Sequence, residues 1–287
     1  MHNIEIYNVN AEDDVLESGK GLHGEKKAFF DSVKDKLKKA YIDYDDKAIN
    51  GNLVSLSPLW ILGQDDTNRN KAYNLYWSGR SLVKKHWENL ERQNGGESIL
   101  CPICGLTIAK EMDHYVPREK MPEFSVHRYN LIPLCHDCNH DKSAGWLDDN
   151  GHRCFFNAFF DKGLQDKLVE CIISLSPKDN QPCIEIKINN SLDMTKEINN
   201  LVVSTIKRLN LLEKFKKEAQ MCLRQRLQDI RGRYEHIRNE KEAKDFWEDE
   251  KENYKYCQTN NKADFIYNST CEAIYHSNDI EVWLETL

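Results

Sequence analysis

The amino-acid sequence predicts an α+β chain, mostly α-helical, with a small zinc-stabilised strand–strand–helix module flanked by helical regions. Three observations carry that reading. Apolar residues recur at helical spacing over 25–44, 69–93 and 195–251. Two CxxC pairs, Cys101/Cys104 and Cys135/Cys138, stand thirty residues apart and can each offer two thiolates to one tetrahedral zinc. The segment that holds them is too short to bury an adequate core alone, so a bound metal must offset the deficit. The expected division is a helical region over 1–95, the module over 96–162, and a mainly helical region with a short strand over 163–287.

The elements follow in order. IEIYNV near the N-terminus alternates like a short strand, and a polar loop should follow it to about residue 20. Phe29, Phe30, Val33, Leu37, Ala40 and Tyr41 mark a helix over 25–44. After a turn-rich stretch, NGNLVSLSPLW, a helix over 69–93 carries Tyr73, Tyr76, Trp77, Leu82, Val83, Trp87 and Leu90, a stripe that reads as core before base-stacking platform. Asn94-Gly95-Gly96 ends it. Within the module, strands are expected over 107–113 and 131–134, and a helix from Asn139 onward. Alternation puts Glu111 and Asp113 on one strand face, with His114 turning into the following loop. The aromatic run over 154–161 should pack the module against the rest. Helical spacing follows over 164–173 and a strand over 183–188. A long helical stretch over 195–251, broken near Asn210 and Gly232, and a last helix over 263–284 complete the chain.

Composition excludes several classes. With 287 residues, 40% hydrophobic and 30% charged, the chain can bury a sizeable core and is not of disordered composition. No run approaches the roughly 18 apolar residues of a membrane span. The opening MHNIEIYNVNAEDD has neither a basic start nor an apolar run, so a cytoplasmic protein is expected. The remaining six of its ten cysteines are scattered singly, as free thiols in a reducing compartment are. A net charge of −7 argues against coating nucleic acid by bulk electrostatics. From Lys207 to Arg238, however, ten Lys or Arg face four acids. That run fits either a solvated helical face or a phosphate-tracking surface.

The chemistry sits in CPICGLTIAKEMDHYVPREKMPEFSVHRYNLIPLCHDCNHDK. This stretch resembles the HNH endonucleases, or ββα-metal nucleases, in their four-cysteine zinc branch: CPIC, MDHYVP, YNLIPLC and CHDCNHDK occur in the family's order and spacing over about 42 residues. The resemblance implies a structural Zn²⁺ on Cys101, Cys104, Cys135 and Cys138, and His114 as general base. It implies that Asn130 clamps the loop holding that imidazole, and that Asp113 and Asn139 are oxygen ligands of a catalytic Mg²⁺ or Mn²⁺. Arg128 or His127 would contact the scissile phosphate, with Lys142 and His140 on the substrate. Each role has a plainer competitor: Asn139 could cap a helix, and Lys142 could be a surface residue. Glu111 reads as a charge neighbour that tunes Asp113.

The expected function is therefore metal-dependent hydrolysis of phosphodiester bonds in nucleic acid, DNA before RNA. Between Glu97 and Lys142 there are five Lys or Arg and seven acids, so the substrate-binding surface should lie elsewhere. More loosely, the chain is similar to the nuclease subunits of bacterial antiphage systems that work beside an ABC-type ATPase, as in Septu or retron-linked operons, which implies an ATPase partner. The alternatives are a stand-alone restriction-type nuclease, or a zinc-containing nucleic-acid or protein binding module without catalysis.

Overall fold

The computed structural model describes residues 1–7, 10–57, 70–71, 74, 80–165, 167–237, 240–257 and 265–286. It is an α+β structure, about half helical, with two small antiparallel sheets. The chain separates into two compact units, Met1–Leu164 and Gln165–Leu287.

Residues 1–7 form no strand: His2 N–H donates to Pro102 O and Ile4 N–H to Ala158 O, isolated bonds that pin the segment without building a ladder. The expected polar loop contains a helix, α1 (Ala11–Ser18). Asn10 caps it by accepting from Glu12 N–H, and Glu12, Asp13 and Asp14 complement the positive end of the helix dipole. α2 (Gly24–Ile49) runs past residue 44 and buries Phe29, Phe30, Val33, Leu37, Ala40, Tyr41, Tyr44 and Ala48. α3 (Arg80–Gln93) buries Leu82, His86 and Leu90, one face at a spacing of four. Gly95 and Gly96, both at positive φ, follow its end. Tyr73, Tyr76 and Trp77 lie outside the described residues.

β1 (Glu111–His114) pairs antiparallel with β2 (Leu131–Leu134), placing Asp113 opposite Ile132 and His114 opposite Leu131. β1 starts later than expected because the preceding residues serve the first cysteine turn: Cys101 N–H donates to Thr107 O, and Ile108 makes a single bridge to Leu100. α4 (His136–Lys142) begins directly after Cys135, so Asn139 lies inside the helix and is not its cap. The aromatic run is internal, with Phe155, Phe156, Phe159 and Phe160 buried. Asn157 Oδ1 accepts from the Phe159 N–H there, and Tyr115 Oη donates to Phe155 O.

The second unit is a hairpin dressed with helices. β3 (Val169–Leu175) pairs with β4 (Pro182–Ile188), Ile173 opposite Ile184. The helix expected over 164–173 is thus not formed. Val169, Cys171 and Ile173 alternate along one strand face, and a β-branched pairing partner settles a pattern that fits both periods. α5 (Glu197–Arg208) stops at Asn210, which takes a left-handed conformation at φ 47°. α6 (Leu211–Tyr234) continues through Gly232, so the second break comes later than expected, before α7 (Glu240–Cys257). The last expected helix is two, α8 (Phe265–Tyr275) and α9 (Asn278–Leu284), divided where Ser277 caps α9 by accepting from Asp279 N–H. β4 packs on α6, and β3 on α8 and α9. Among the described residues, no helix is long and apolar enough to cross a membrane.

Candidate functional site

Two short turns bring four thiols together. In the first, Gly105 N–H donates back to Cys101 O, and Gly105 takes φ 67°, which a side chain would resist. In the second, Asn139 N–H donates to Cys135 O as α4 starts. Cys101, Cys104, Cys135 and Cys138 are all buried, and their sulfurs lie within 4.8 Å of one another. A tetrahedron with Zn–S bonds of about 2.3 Å has edges of about 3.8 Å. Cys104 Sγ and Cys135 Sγ are 3.8 Å apart. The donor set and its spacing are therefore compatible with zinc, and no disulfide competes, since all four are free thiols.

The hairpin next to this cluster carries two polar groups on one face. At Glu111, Oε1 accepts from His136 Nδ1 at 2.8 Å and Oε2 from Asn139 Nδ2 at 2.5 Å. Those donors hold the Glu111 carboxyl below its ordinary pKa and raise that of His136. Two residues on, Asp113 Oδ2 lies 2.8 Å from Lys142 Nζ, and the same ammonium donates to His114 O at 2.9 Å. The side chains of Asp113 and Lys142 are 9% and 5% exposed, so this is a buried ion pair. Burial raises the Asp113 pKa, and the Lys142 charge opposes it.

His114 is held by the loop between the strands. Its Nε2 lies 2.9 Å from Ser125 O, so the proton belongs on Nε2 and the imidazole lone pair on Nδ1. Burial pushes its pKa down to about 4, the Ser125 carbonyl opposing, and the ring is neutral near pH 7. Asn130 organises that loop with a fully buried amide. Its Oδ1 accepts from Val116 N–H and Tyr44 Oη, while its Nδ2 donates to Val116 O and Phe124 O. Ser125 was not singled out in the sequence, because a backbone carbonyl leaves no trace in residue type.

Not every candidate joins this group. Arg128 is buried and grips Asp14 through Nε and a terminal nitrogen, its guanidinium over the Tyr7 ring. His127 is buried between Tyr41 and Tyr44, with Nε2 3.2 Å from Asp45 Oδ1. Arg128 sits in an internal ion pair, and His127 is enclosed by side chains of α2. His140 is exposed and stacks on His136. The structure thus brings together Asp113, His114 and Lys142, sets Asn139 against the neighbouring Glu111, and sends Arg128 and His127 into the packing against α1 and α2.

Comparison with known proteins adds one similarity. Over 66 residues the chain is 38% identical to Protein ea31 of Escherichia phage lambda, a match covering 22% of either chain. No family model matches the chain. No solved structure matches it either.

Proposed function

We propose that the segment from Cys101 to Lys142 is an HNH-type nuclease centre that hydrolyses phosphodiester bonds in nucleic acid. The observation that carries this reading is His114: a neutral imidazole, oriented by Ser125 O, on the strand that also carries the buried Asp113 carboxylate next to a four-cysteine cluster. Hydrolysis needs a base that takes a proton from water while positive charge faces the phosphate. In this reading His114 Nδ1 takes that proton, and the Ser125 carbonyl stabilises the imidazolium through Nε2. Asn130 keeps the ring in place by fixing Val116 and Phe124.

Asp113 and Asn139 are hard oxygen donors suited to Mg²⁺ or Mn²⁺. A cation there would supply Lewis-acid charge to the scissile phosphate and leaving oxygen. Asp113 already faces one cation, Lys142, and Asn139 donates to Glu111, so the set fits a divalent ion once Lys142 yields its place. Lys142 released from Asp113 would itself lie next to the phosphate.

The second reading, a zinc-held binding module without catalysis, is favoured by that same ion pair, which leaves Asp113 neutralised without a metal. Assaying Mg²⁺- or Mn²⁺-dependent cleavage of DNA and RNA separates the two. The nuclease reading expects His114→Ala to lose activity by about 10²- to 10⁴-fold with nucleic-acid affinity retained. The binding reading expects no metal-dependent cleavage by either protein.

The biological setting we propose is that of an effector nuclease in bacterial antiphage defence, controlled by an ATPase partner, with a stand-alone restriction-type nuclease as the alternative. Support for it is the sequence resemblance alone. Co-purification from the native operon should recover the ATPase, whereas full activity from the isolated chain would favour the alternative.

A further inference from the structure

The second unit contains a cationic cleft that the nuclease centre does not use. On α6, Lys217, Gln220, Arg224, Gln228 and Arg231 are exposed at spacings of three and four residues, which aligns them on one helix face. Beside β4 the last four line a cleft of about 430 Å³. The rest of the lining is largely apolar, with Pro182, Ile184, Leu223, Leu227 and Trp283, and none of the described lining residues is acidic. The other arginines of this helix are committed to packing. Arg226 hydrogen-bonds Tyr275 Oη, and Arg233 pairs with the buried Glu250 at 2.5 Å. Arg231 pairs with Glu235 at 3.4 Å, but these side chains are 56% and 62% exposed, so water screens the contact and another anion can replace it.

We propose that this cleft seats one nucleotide of a single-stranded nucleic acid, with Arg224 and Arg231 on its flanking phosphates. The two arginines rise about 10.5 Å apart along the helix, and their long side chains can converge on neighbouring phosphates of one strand. A guanidinium presents a planar fork that matches phosphate oxygens. Gln220 and Gln228 both donate and accept, as base edges require. Pro182 and Leu227, both half-buried in the lining, offer apolar surface against which an unstacked base can lie, and the volume falls within the range of small-ligand pockets. An acidic peptide would use the charge but not the amides or that surface. The identification of this strand as a cleavage substrate rests on the nuclease reading; the binding does not.

The test is fluorescence anisotropy of the full chain with a labelled single-stranded DNA oligonucleotide over a salt series, comparing wild type, His114→Ala and the double variant Arg224→Gln/Arg231→Gln. Both arginines are exposed, so the double variant should keep the thermal stability and zinc content of wild type. Its affinity should fall about tenfold or more, and the slope of log affinity against log salt should shrink by about 1.4, two phosphates at roughly 0.7 each. His114→Ala should bind like wild type. Unchanged affinity and slope in the double variant would overturn the proposal, as would equal competition by polyglutamate. Arginine-dependent binding by a protein that never cleaves would uphold the cleft and defeat the nuclease reading.

Discussion

Asp113 and Lys142 form the pair on which the candidate site turns. Removing one partner of a buried ion pair leaves an uncompensated charge and costs about 3–5 kcal/mol. Lys142→Met should therefore lower the free energy of unfolding by that order when divalent ions are chelated. If Asp113 is also a metal ligand, adding Mg²⁺ or Mn²⁺ should restore stability to this variant more than to wild type; equal response of the two proteins would remove Asp113 from the ligand set. Asn130→Ala makes a separate prediction. It removes four hydrogen bonds from a fully buried position and strands the Val116 N–H, so a loss of about 3 kcal/mol is expected by chemical denaturation. A loss near zero would mean the loop is held by its apolar packing alone.

The cysteine turns act at the level of the element. β1, β2 and α4 contribute four, four and seven residues, too little to fold on their own, so a zinc ion on the four thiols would supply folding free energy to this segment. Cys135→Ser should lose zinc by native mass spectrometry and expose the 101–142 segment to hydrogen exchange; a full zinc complement with unchanged protection would contradict this. The module's elements were legible because their signals are local: two CxxC turns, an apolar LIPL strand, a histidine and aspartate side by side. α1 was missed although its signals, Asn10 ahead of three acids, are also local, since its apolar face is short. β3 was missed for a different reason. Its apolar residues satisfy the helical and the strand period alike, and only Ile184 and Ile186 across the hairpin decide between them. The roles of Arg128 and His127 were illegible because Asp14 and Asp45 lie more than eighty residues away in sequence.

At the scale of the whole molecule, buried polar side chains make stability depend on pH. His86 is packed in the first unit with Nε2 3.0 Å from Leu131 O and Nδ1 against Tyr7 Oη. Burial lowers its pKa from 6.5 to about 4, with the Leu131 carbonyl opposing. The unfolded chain therefore takes up the proton first as pH falls. Stability from the neutral ring is whole above about pH 6.5 and is lost on acidification toward about pH 4. Urea unfolding of wild type and His86→Gln over this window should show a shallower acid limb in the variant, by up to about 1.4 kcal/mol per pH unit. Parallel limbs would place the acid sensitivity elsewhere.

The proposed phosphodiesterase chemistry rests on His114 as its base. The most direct measurement is Mg²⁺- and Mn²⁺-dependent cleavage of DNA and RNA by zinc-loaded wild type and by a folded, zinc-loaded His114→Ala. Wild type should cleave, and the variant should lose about 10²- to 10⁴-fold. Equal cleavage by the two proteins would contradict it.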